Sequence, residues 1–266
     1  MSTSSAARTN LTSQSVRIHP DVIVGEGHFR MAYAGTYIGG NRNKQEAICK
    51  CFKSKYAVLE SEFFASDFQA ADRAIKYAEE WNSFCESDEK ILITRGDIHT
   101  IGSKKYLVEP LIRNFTKFTS HNGWMADEGW CGEAMEAFSH YTYHRSSGMM
   151  IVCDLQGRYR DNRRWVNGKS RFELTDIAIC SRRRSYGPTD LGEKGIDSFF
   201  HNHVCNQFCH VNGRWDRPKR TRQWFPKSSS SSMMNSSQSH LLELANRSTF
   251  KSGFGGILEE DSDADY

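Results

Sequence analysis

The sequence has no long apolar run and no excess of charge of one sign. No stretch of its 266 residues approaches the roughly 20 apolar residues that a membrane-spanning helix needs. Lys and Arg total 35 against 32 Asp and Glu. The chain therefore has no large net positive charge that would attract nucleic acid or a membrane surface. Residues 1–14 lack the apolar core of a secretory signal. We therefore expect a cytoplasmic protein whose eight cysteines are free, catalytic or metal-bound rather than joined in disulfides.

Composition divides the chain into a folded middle and two tails. Residues 1–15 are rich in Ser and Thr without periodicity, which is typical of a flexible tail. From Arg217 onward a basic stretch is followed by a serine-rich segment and an acidic end, so residues 217–266 are expected to be low-complexity and mostly disordered. The folded part is then residues 16–216.

Hydrophobic patterns predict an α+β fold. Short β-type runs lie at residues 22–24, 31–38, 47–52, 106–112 and 149–154. Apolar residues at three- and four-residue spacing predict a helix over 57–84, and further helices are expected over 133–143 and 191–209. Strands dominate the first part and helices the second. This order indicates two lobes, about 16–110 and 111–216, with a cleft between them.

A glycine-containing turn and a strand lysine form the first candidate motif. In Gly25-Glu26-Gly27-His28-Phe29-Arg30 the glycines let backbone N–H groups approach a phosphate, and Arg30 adds a cation. Lys50 follows in an apolar strand, where alternation points its charge to one face of the sheet. This order is similar to the flap and strand lysine that hold ATP in protein kinases. An ordinary hairpin turn and a lysine at a strand edge are the alternatives.

Two acidic motifs stand where conventional protein-kinase signatures are absent. The sequence has no HRD motif with its Asn, no DFG and no APE. Instead Asp154-Leu155-Gln156-Gly157 follows a buried strand, and Leu174-Thr175-Asp176 comes later. One carboxylate can orient and deprotonate a substrate hydroxyl, while the other and the amide oxygen of Gln156 can hold Mg²⁺ against phosphates. Each aspartate can instead be a turn or cap residue.

Histidine and cysteine spacing near residue 205 is typical of a metal site. His203, Cys205 and Cys209 form His-x-Cys-x-x-x-Cys, and on a helix the two cysteines would lie one turn apart on the same face. A closed structural zinc site takes about four S and N ligands, so a fourth must come from elsewhere in the chain. The alternative is free buried cysteines with a surface histidine.

Taken in order, these motifs resemble the alpha-kinase family of atypical protein kinases, which includes myosin heavy-chain, elongation-factor and channel-fused kinases. The matching segments span most of residues 17–215 and include residues 25–33, Lys50, residues 108–110, 137–143, 154–157, 174–176, 187–196 and 203–209. The resemblance implies a two-lobed kinase-like fold with a β-rich N-lobe and a zinc-stabilised C-lobe. It also implies an ATP-dependent serine/threonine protein kinase.

The resemblance further implies roles for single residues. Lys50 and Arg30 would bind ATP phosphates beneath Gly25 and Gly27, and the stretch around Glu109 would meet adenine through backbone groups. Asp154 would be the catalytic aspartate acting with Lys50, and Gln156 and Asp176 would hold Mg²⁺. The nucleotide and substrate side of the cleft would also include Gly187, Asp190 and Gly192. His140 would be the fourth zinc ligand with His203, Cys205 and Cys209.

Two departures from the family pattern matter. Ile177 stands where the family usually has Pro, and this should cost only local rigidity. Asp190 stands where it usually has Asn, which adds a negative charge and removes two donors from a loop expected to face phosphate. Asp190 is therefore the support for an alternative function, a pseudokinase scaffold that keeps ATP and zinc binding without turnover.

The expected partners are proteins that present Ser or Thr as acceptors. The serine-rich tail can carry autophosphorylation sites or act only as a solubilising segment. Basic residues 158–169 can recognise an acidic or phosphorylated partner, although a solvated loop is favoured. A zinc-stabilised nucleic-acid-binding module is a further alternative, disfavoured by the near-neutral net charge.

Overall fold

The computed structural model describes residues 15–27, 29–84, 89–126, 129–161, 170–210 and 214–229. Of the predicted tails, 1–15 and 217–266, residues 1–14 and 230–266 lie outside the described residues, as do residues 162–169 of the basic stretch. Helices and strands are mixed in the described part, which confirms the predicted α+β class. Among these residues, no helix combines the length and apolarity that crossing a membrane requires.

An antiparallel sheet of five strands forms the N-lobe. Its strands, in the order β1-β2-β3-β6-β5, are β1 (Ser15–Glu26), β2 (Arg30–Ile38), β3 (Glu46–Phe52), β5 (Asp97–Ile101) and β6 (Lys104–Pro110). Alternation in β3 buries Ala47, Cys49 and Cys51, so Ile48 and Lys50 face the other side of the sheet. The strands predicted in this region are confirmed, and β3 directs Lys50 away from the buried face.

The long helix α1 (Glu60–Phe84) belongs to two hydrophobic cores. Near its start Phe63 and Phe64 pack with Phe52 of β3. Near its end Trp81 packs edge-on against Phe138 in the core of the C-lobe, with ring centres 5.7 Å apart. The helix predicted over 57–84 is confirmed, with a 3-10 turn at Ser54–Leu59 in place of its first residues.

The C-lobe contains two further sheets. The larger has the order β4-β10-β9-β7, and its strands are β4 (Lys90–Ile93), β7 (Thr116–Lys117), β9 (Gln156–Arg160) and β10 (Arg171–Leu174). The smaller pairs β8 (Met150–Cys153) antiparallel with β11 (Ala178–Ser181). Strand β4 lies within the range predicted for the N-lobe, yet it pairs with β10. The predicted lobe boundary is corrected here, because α1 brings the chain to the second core before β4 begins.

Two further helices complete the C-lobe, and one is shorter than expected. Helix α2 (Trp130–Arg145) confirms the helix predicted over 133–143. Helix α3 (Glu193–Asn202) ends well before residue 209, because His203 has extended backbone angles of φ −69° and ψ 122°. A 3-10 turn at Gln207–His210 follows. The prediction that Cys205 and Cys209 lie one turn apart on an α-helix is therefore wrong.

Residues 214–229, here called the strap, lie against the C-lobe. Arg217 Nη2 donates to the carbonyl of Phe200 at 3.3 Å. Gln223 Nε2 donates to the carbonyl of Asn122 at 3.3 Å. The backbone N–H of Trp224 donates to Ser198 Oγ at 3.0 Å. The strap thus connects the end of α3 to the segment after β7. Composition alone predicts residues 217–229 of the strap to be part of the low-complexity tail.

Candidate active site

A cleft of about 660 Å³ is lined by residues of both lobes. This volume falls within the range of about 300–1,000 Å³ that is typical of small-molecule sites. The lining includes eight residues singled out from the sequence: Gly25, Gly27, Arg30, Lys50, Glu109, Asp154, Gln156 and Asp176. The fold therefore brings together the glycine turn, the strand lysine and both acidic motifs.

Lys50 connects the two lobes across the cleft. Its Nζ lies 2.7 Å from Glu109 Oε2 on β6 and 3.0 Å from Asp176 Oδ1 after β10. Burial alone would lower the pKa of Lys50, but the carboxylates of Asp176 and Glu109 outweigh it and raise the pKa above its ordinary value. The Lys50 ammonium in turn lowers the pKa of Asp176. This part of the cleft therefore holds a fixed cation between two carboxylates.

Glu109 lies on β6 and lines the cleft, where its side chain bonds to both lobes. Its backbone lies in β6 opposite Ile48 of β3. The Thr175 hydroxyl donates to Glu109 Oε1 at 2.7 Å, while Oε2 accepts from Lys50. The following residues, Pro110 to Ile112, also line the cleft. The structure thus places the segment expected at adenine on the cleft wall and adds an ion pair to Lys50.

Arg30 supplies a second cation on the N-lobe wall. Its Nη2 lies 2.5 Å from Asp67 Oδ2 on α1, and its guanidinium lies 4.6 Å from the centre of the Phe52 ring. Burial raises the pKa of Asp67, and the charge on Arg30 opposes that shift. The turn before Arg30 is closed by Gly27, whose N–H donates to the Arg30 carbonyl at 2.9 Å. Arg30 is therefore held in place directly after the glycine turn.

Asp154 and Asp176 share a backbone conformation that is uncommon for residues other than glycine. Both have φ of 58°, in the left-handed region; Asp154 directly follows β8, and Asp176 is the second residue after β10. Lys117 Nζ of β7 lies 2.6 Å from Asp154 Oδ1. Gln156 Nε2 donates to the backbone carbonyl of Asp176 at 3.0 Å and lies 3.4 Å from Asp154 Oδ2. The two acidic motifs therefore form one connected group.

Gly157 completes the first acidic motif for a steric reason. Its φ is 150°, and a Cβ at this position would lie 2.0 Å from the backbone oxygen of Glu173 on the paired strand. A side chain here would force β9 and β10 apart. The Asp-Leu-Gln-Gly order thus combines cleft groups with the close strand contact that positions them.

The oxygen groups around Gln156 suit a hard cation. The Asp176 side chain is about half exposed, at 47%, and lines the cleft together with Gln156. Carboxylate, amide and phosphate oxygens are the ligands that Mg²⁺ prefers. The donor set therefore fits Mg²⁺.

A separate group of four metal-ligating side chains lies in the C-lobe. His140 of α2 and His203, Cys205 and Cys209 beyond α3 place their ligand atoms within 4.8 Å of one another. His140 Nδ1 is 3.2 Å from His203 Nε2 and 3.7 Å from Cys205 Sγ, and Cys209 Sγ is 3.4 Å from His203 Nε2. Ligands bound tetrahedrally to zinc are separated by about 3.3–3.8 Å. The spacing of the four atoms fits zinc.

Neighbouring acceptors orient both histidines toward this centre. His203 Nδ1 donates to the buried Glu136 carboxylate at 3.1 Å, and His140 Nε2 donates to the Asp216 carbonyl at 2.9 Å. Each ring therefore presents its other nitrogen to the cysteines, as metal-ligating histidines commonly do. Burial lowers the pKa of His140 to about 4 and raises that of Cys209 to about 12, so without a cation the site holds a neutral imidazole and a protonated thiol.

Comparison with known proteins agrees with this arrangement. The sequence model of the alpha-kinase family matches residues 25–209, which include the glycine turn, both acidic motifs and the histidine–cysteine cluster. The chain belongs to the alpha-kinase family. The resemblance inferred from the motifs is thereby confirmed.

Relatives within the family are moderately similar. The chain is 30% identical to alpha-protein kinase vwkA of Dictyostelium discoideum, over 79% of this chain and 33% of that protein. It is 28% identical to eukaryotic elongation factor 2 kinase of Caenorhabditis elegans, over 73% of this chain and 24% of that protein. The chain thus spans a third or less of the length of these curated relatives.

Solved alpha-kinase structures share the fold. An alpha kinase from Entamoeba histolytica superposes with a TM-score of 0.61 at 21% identity, covering 83% of this chain and 85% of that one. The alpha-kinase domain of myosin-II heavy chain kinase A in complex with AMP-PNP gives a TM-score of 0.61 at 20% identity, covering 75% of this chain and 90% of that one. The two-lobed alpha-kinase fold predicted from the sequence is confirmed.

The glycine-rich stretch after β11 is placed differently from the expectation for this alpha-kinase. Asp190 is fully buried, and its carboxylate accepts from the N–H groups of Ser181, Tyr186 and Gly192 and from the Ser181 hydroxyl. Gly187 packs against Ser66 of α1, and Gly192 is the N-cap of α3. Asp190 thus serves the fold and does not line the cleft, so its predicted contact with nucleotide is corrected. Thr189 reaches the cleft instead.

Two residues of this alpha-kinase at or beside the cleft are not marked by the sequence: His121 lines the cleft, and Lys117 contacts the lining residue Asp154. Lys117 lies on a strand of two residues, too short for a periodic pattern to mark it. His121 lies in the loop that follows and is 1% exposed. Neither has a recognisable motif around it. Their placement depends on the pairing of β7 with β9, which brings Lys117 beside Asp154.

Proposed function

We propose that this alpha-kinase domain transfers the γ-phosphoryl group of ATP to Ser or Thr residues of protein substrates, with Mg²⁺. The observation that carries this proposal is the group formed by Lys50, Asp154, Gln156 and Asp176 in a single cleft. A phosphoryl-transfer site needs cations for the phosphates, oxygen ligands for the metal and a carboxylate for the attacking hydroxyl. Each of these functions has a candidate residue here.

ATP binding would use two cations of the N-lobe sheet. Lys50 and Arg30 would contact the phosphates, since each is held toward the cleft by a carboxylate. Adenine would lie beside the segment from Glu109 to Ile112. The related domain of myosin-II heavy chain kinase A is described in complex with AMP-PNP, which supports a nucleotide at this place.

Transfer would proceed by in-line displacement. The acceptor hydroxyl oxygen attacks the γ-phosphorus, the bond to the β–γ bridging oxygen breaks, and ADP leaves. Asp154 would orient this hydroxyl and take its proton, while Lys117 holds the carboxylate at 2.6 Å. Mg²⁺ held by Asp176 and Gln156 would neutralise charge on the phosphates.

The histidine–cysteine cluster would hold a structural zinc ion. The support is the match between the interatomic distances of His140, His203, Cys205 and Cys209 and tetrahedral coordination. We also propose a cytoplasmic location, where thiols remain reduced and ATP is available. Substrate proteins and autophosphorylation of the serine-rich tail belong to the same proposal.

The proposal is tested by incubating purified protein with labelled ATP, Mg²⁺ and a generic basic protein. Wild type should label the substrate, whereas Lys50→Met and Asp176→Asn should lose at least about 100-fold in rate while keeping a cooperative melting transition. Lys105→Met is the matched control, because Lys105 also lies on a strand of the N-lobe sheet and pairs with Glu60, and neither residue belongs to the cleft lining. Equal activity in the Lys50 and Asp176 variants would refute the proposed roles.

The same experiment separates a kinase from a pseudokinase. The pseudokinase alternative depended on Asp190, and the structure places that residue away from the cleft. No observation on the described residues now favours loss of turnover. Binding of ATP by wild type without transfer would nevertheless establish a scaffold.

A further inference from the structure

His121 is a buried imidazole that the proposed roles do not use. It lies in the loop after β7, is 1% exposed and contributes to the lining of the cleft. Neither Nδ1 nor Nε2 has a hydrogen-bond partner among the residues that the structure describes. A buried polar group left without a partner is unfavourable, and such groups are few in folded proteins.

The loop around His121 holds the ring at the cleft. The Thr119 hydroxyl accepts from the N–H of Leu155 at 3.1 Å, and the Ser120 N–H donates to the Trp124 carbonyl at 2.9 Å. The strap adds a contact, since Gln223 donates to the carbonyl of Asn122. These contacts hold the loop on both sides of His121 against the C-lobe.

His121 lies at the end of the cleft that Asp154 lines, because its loop is bonded through Thr119 to Leu155, the residue after Asp154. The charges of Asp154 and Lys117 both act on the ring, in opposite directions. Burial lowers the pKa of His121, so the ring is neutral near pH 7, with one N–H donor and one acceptor. A neutral donor can bind phosphate oxygen without adding a second positive charge beside Lys117.

We propose that His121 donates a hydrogen bond to the terminal phosphoryl group of the bound nucleotide. This rests on the proposed nucleotide-binding function of the cleft. The adenine end is excluded as its partner, because the loop of His121 is bonded to Leu155, next to Asp154, whereas adenine would lie at residues 109–112. The role differs from that of the two cations, since His121 would distinguish a nucleotide with a third phosphate from one without it.

The test compares binding of AMP-PNP and ADP by calorimetry in the presence of Mg²⁺. In His121→Phe, which keeps a ring but removes the donor, the Kd for AMP-PNP should rise about tenfold while the Kd for ADP stays within about twofold. His99→Phe is the matched control, because His99 is also buried, at 9% exposed, but lies on β5 outside the cleft lining. It should leave both constants unchanged.

Two results would overturn the proposal: an unchanged Kd for AMP-PNP, or an equal loss for both nucleotides. His121→Asn, which restores an N–H donor, should recover most of the AMP-PNP affinity, and failure to do so in a folded variant also counts against it. If His121→Phe does not melt cooperatively, His121→Leu takes its place. If wild type binds AMP-PNP but transfers no phosphate, the proposed kinase activity is refuted and the role of His121 can still be tested. If wild type binds neither nucleotide, both proposals are refuted.

Discussion

Asp190 holds together the turn that leads into helix α3. One carboxylate oxygen accepts from the N–H groups of Ser181 at 2.7 Å and Gly192 at 2.9 Å. The other accepts from the Ser181 hydroxyl at 2.6 Å and the Tyr186 N–H at 3.2 Å. A carboxylate can accept all four, whereas an amide offers one oxygen and places two donors where the other oxygen was.

Replacing Asp190 by Asn should therefore affect stability and spare nucleotide affinity. We expect Asp190→Asn to lower the free energy of unfolding by about 1–3 kcal/mol, because two buried donors lose their acceptor. The KM for ATP should stay within about twofold, since Asp190 does not line the cleft. Urea denaturation and steady-state kinetics measure these quantities.

The control for this substitution is Asp21→Asn on the exposed part of β1. A change at such a surface position should stay within about 0.5 kcal/mol. A raised KM for ATP with unchanged stability in Asp190→Asn would place Asp190 at the nucleotide and contradict the buried hydrogen-bonded role.

Single residues were predictable where a local pattern constrained them. Lys50 could be assigned to one face of a strand because its apolar neighbours alternate with it. Asp154 and Asp176 could be placed at strand ends, although nothing local revealed their φ of 58°. Lys117 and His121 had no such pattern. Their positions follow from long-range pairing of β7 with β9, which single-sequence periodicity does not encode.

At the scale of elements, the strap shows how a polar segment can be ordered by a few specific contacts. Its Trp224 ring nitrogen donates to Asp197 Oδ2 at 3.1 Å, and its backbone N–H donates to Ser198. Gln223 contacts both Asn202 and Asn122. Composition favoured a tail here because the strap is rich in basic residues and leads into a serine-rich segment. The hydrogen bonds involve partners distant in sequence, so composition alone could not reveal them.

Removing strap contacts should weaken the C-lobe. We expect Gln223→Ala combined with Trp224→Ala to lower the melting temperature by about 4–8 °C, because two or more hydrogen bonds worth about 1 kcal/mol each are lost. Differential scanning calorimetry measures the shift. Lys219→Ala combined with Arg220→Ala is the control, since both residues are exposed strap positions. A melting temperature equal to wild type in both double variants would show that the strap contributes no stability.

Element boundaries were least predictable where the chain leaves a regular pattern. The apolar positions of α3 continue toward residue 209, yet the helix stops at Asn202. Because His203 is extended, its side chain lies against α2, and its Nε2 is 3.2 Å from Nδ1 of His140. A metal-ligand geometry thus competes with the helical pattern. The parallel pairing of β4 with β10 was equally hidden, because β4 is separated from its partner by most of the C-lobe sequence.

At the scale of the whole molecule, the histidine–cysteine cluster joins three parts of the C-lobe. His140 belongs to α2, the other three ligands follow α3, and the Asp216 carbonyl that orients His140 begins the strap. Trp215 beside it contacts Trp81 of α1, with ring centres 6.1 Å apart. Because α1 also packs in the N-lobe, the cluster is connected through contiguous packing to the cleft.

Removing zinc should therefore unfold the C-lobe rather than only slow turnover. A chelator that strips zinc should shift the melting transition of wild type well below its starting temperature, because metal binding contributes folding free energy. Cys209→Ser should show a low transition that the chelator does not shift further. Cys131→Ser, on α2 but outside the cluster, should behave as wild type. Zinc content measured by atomic absorption, with calorimetry on the same samples, tests this expectation. If the melting temperature stays the same after zinc is stripped, the expectation is wrong. The metal-free cluster, with a neutral His140 and a protonated Cys209, would then be enough to hold the three segments together.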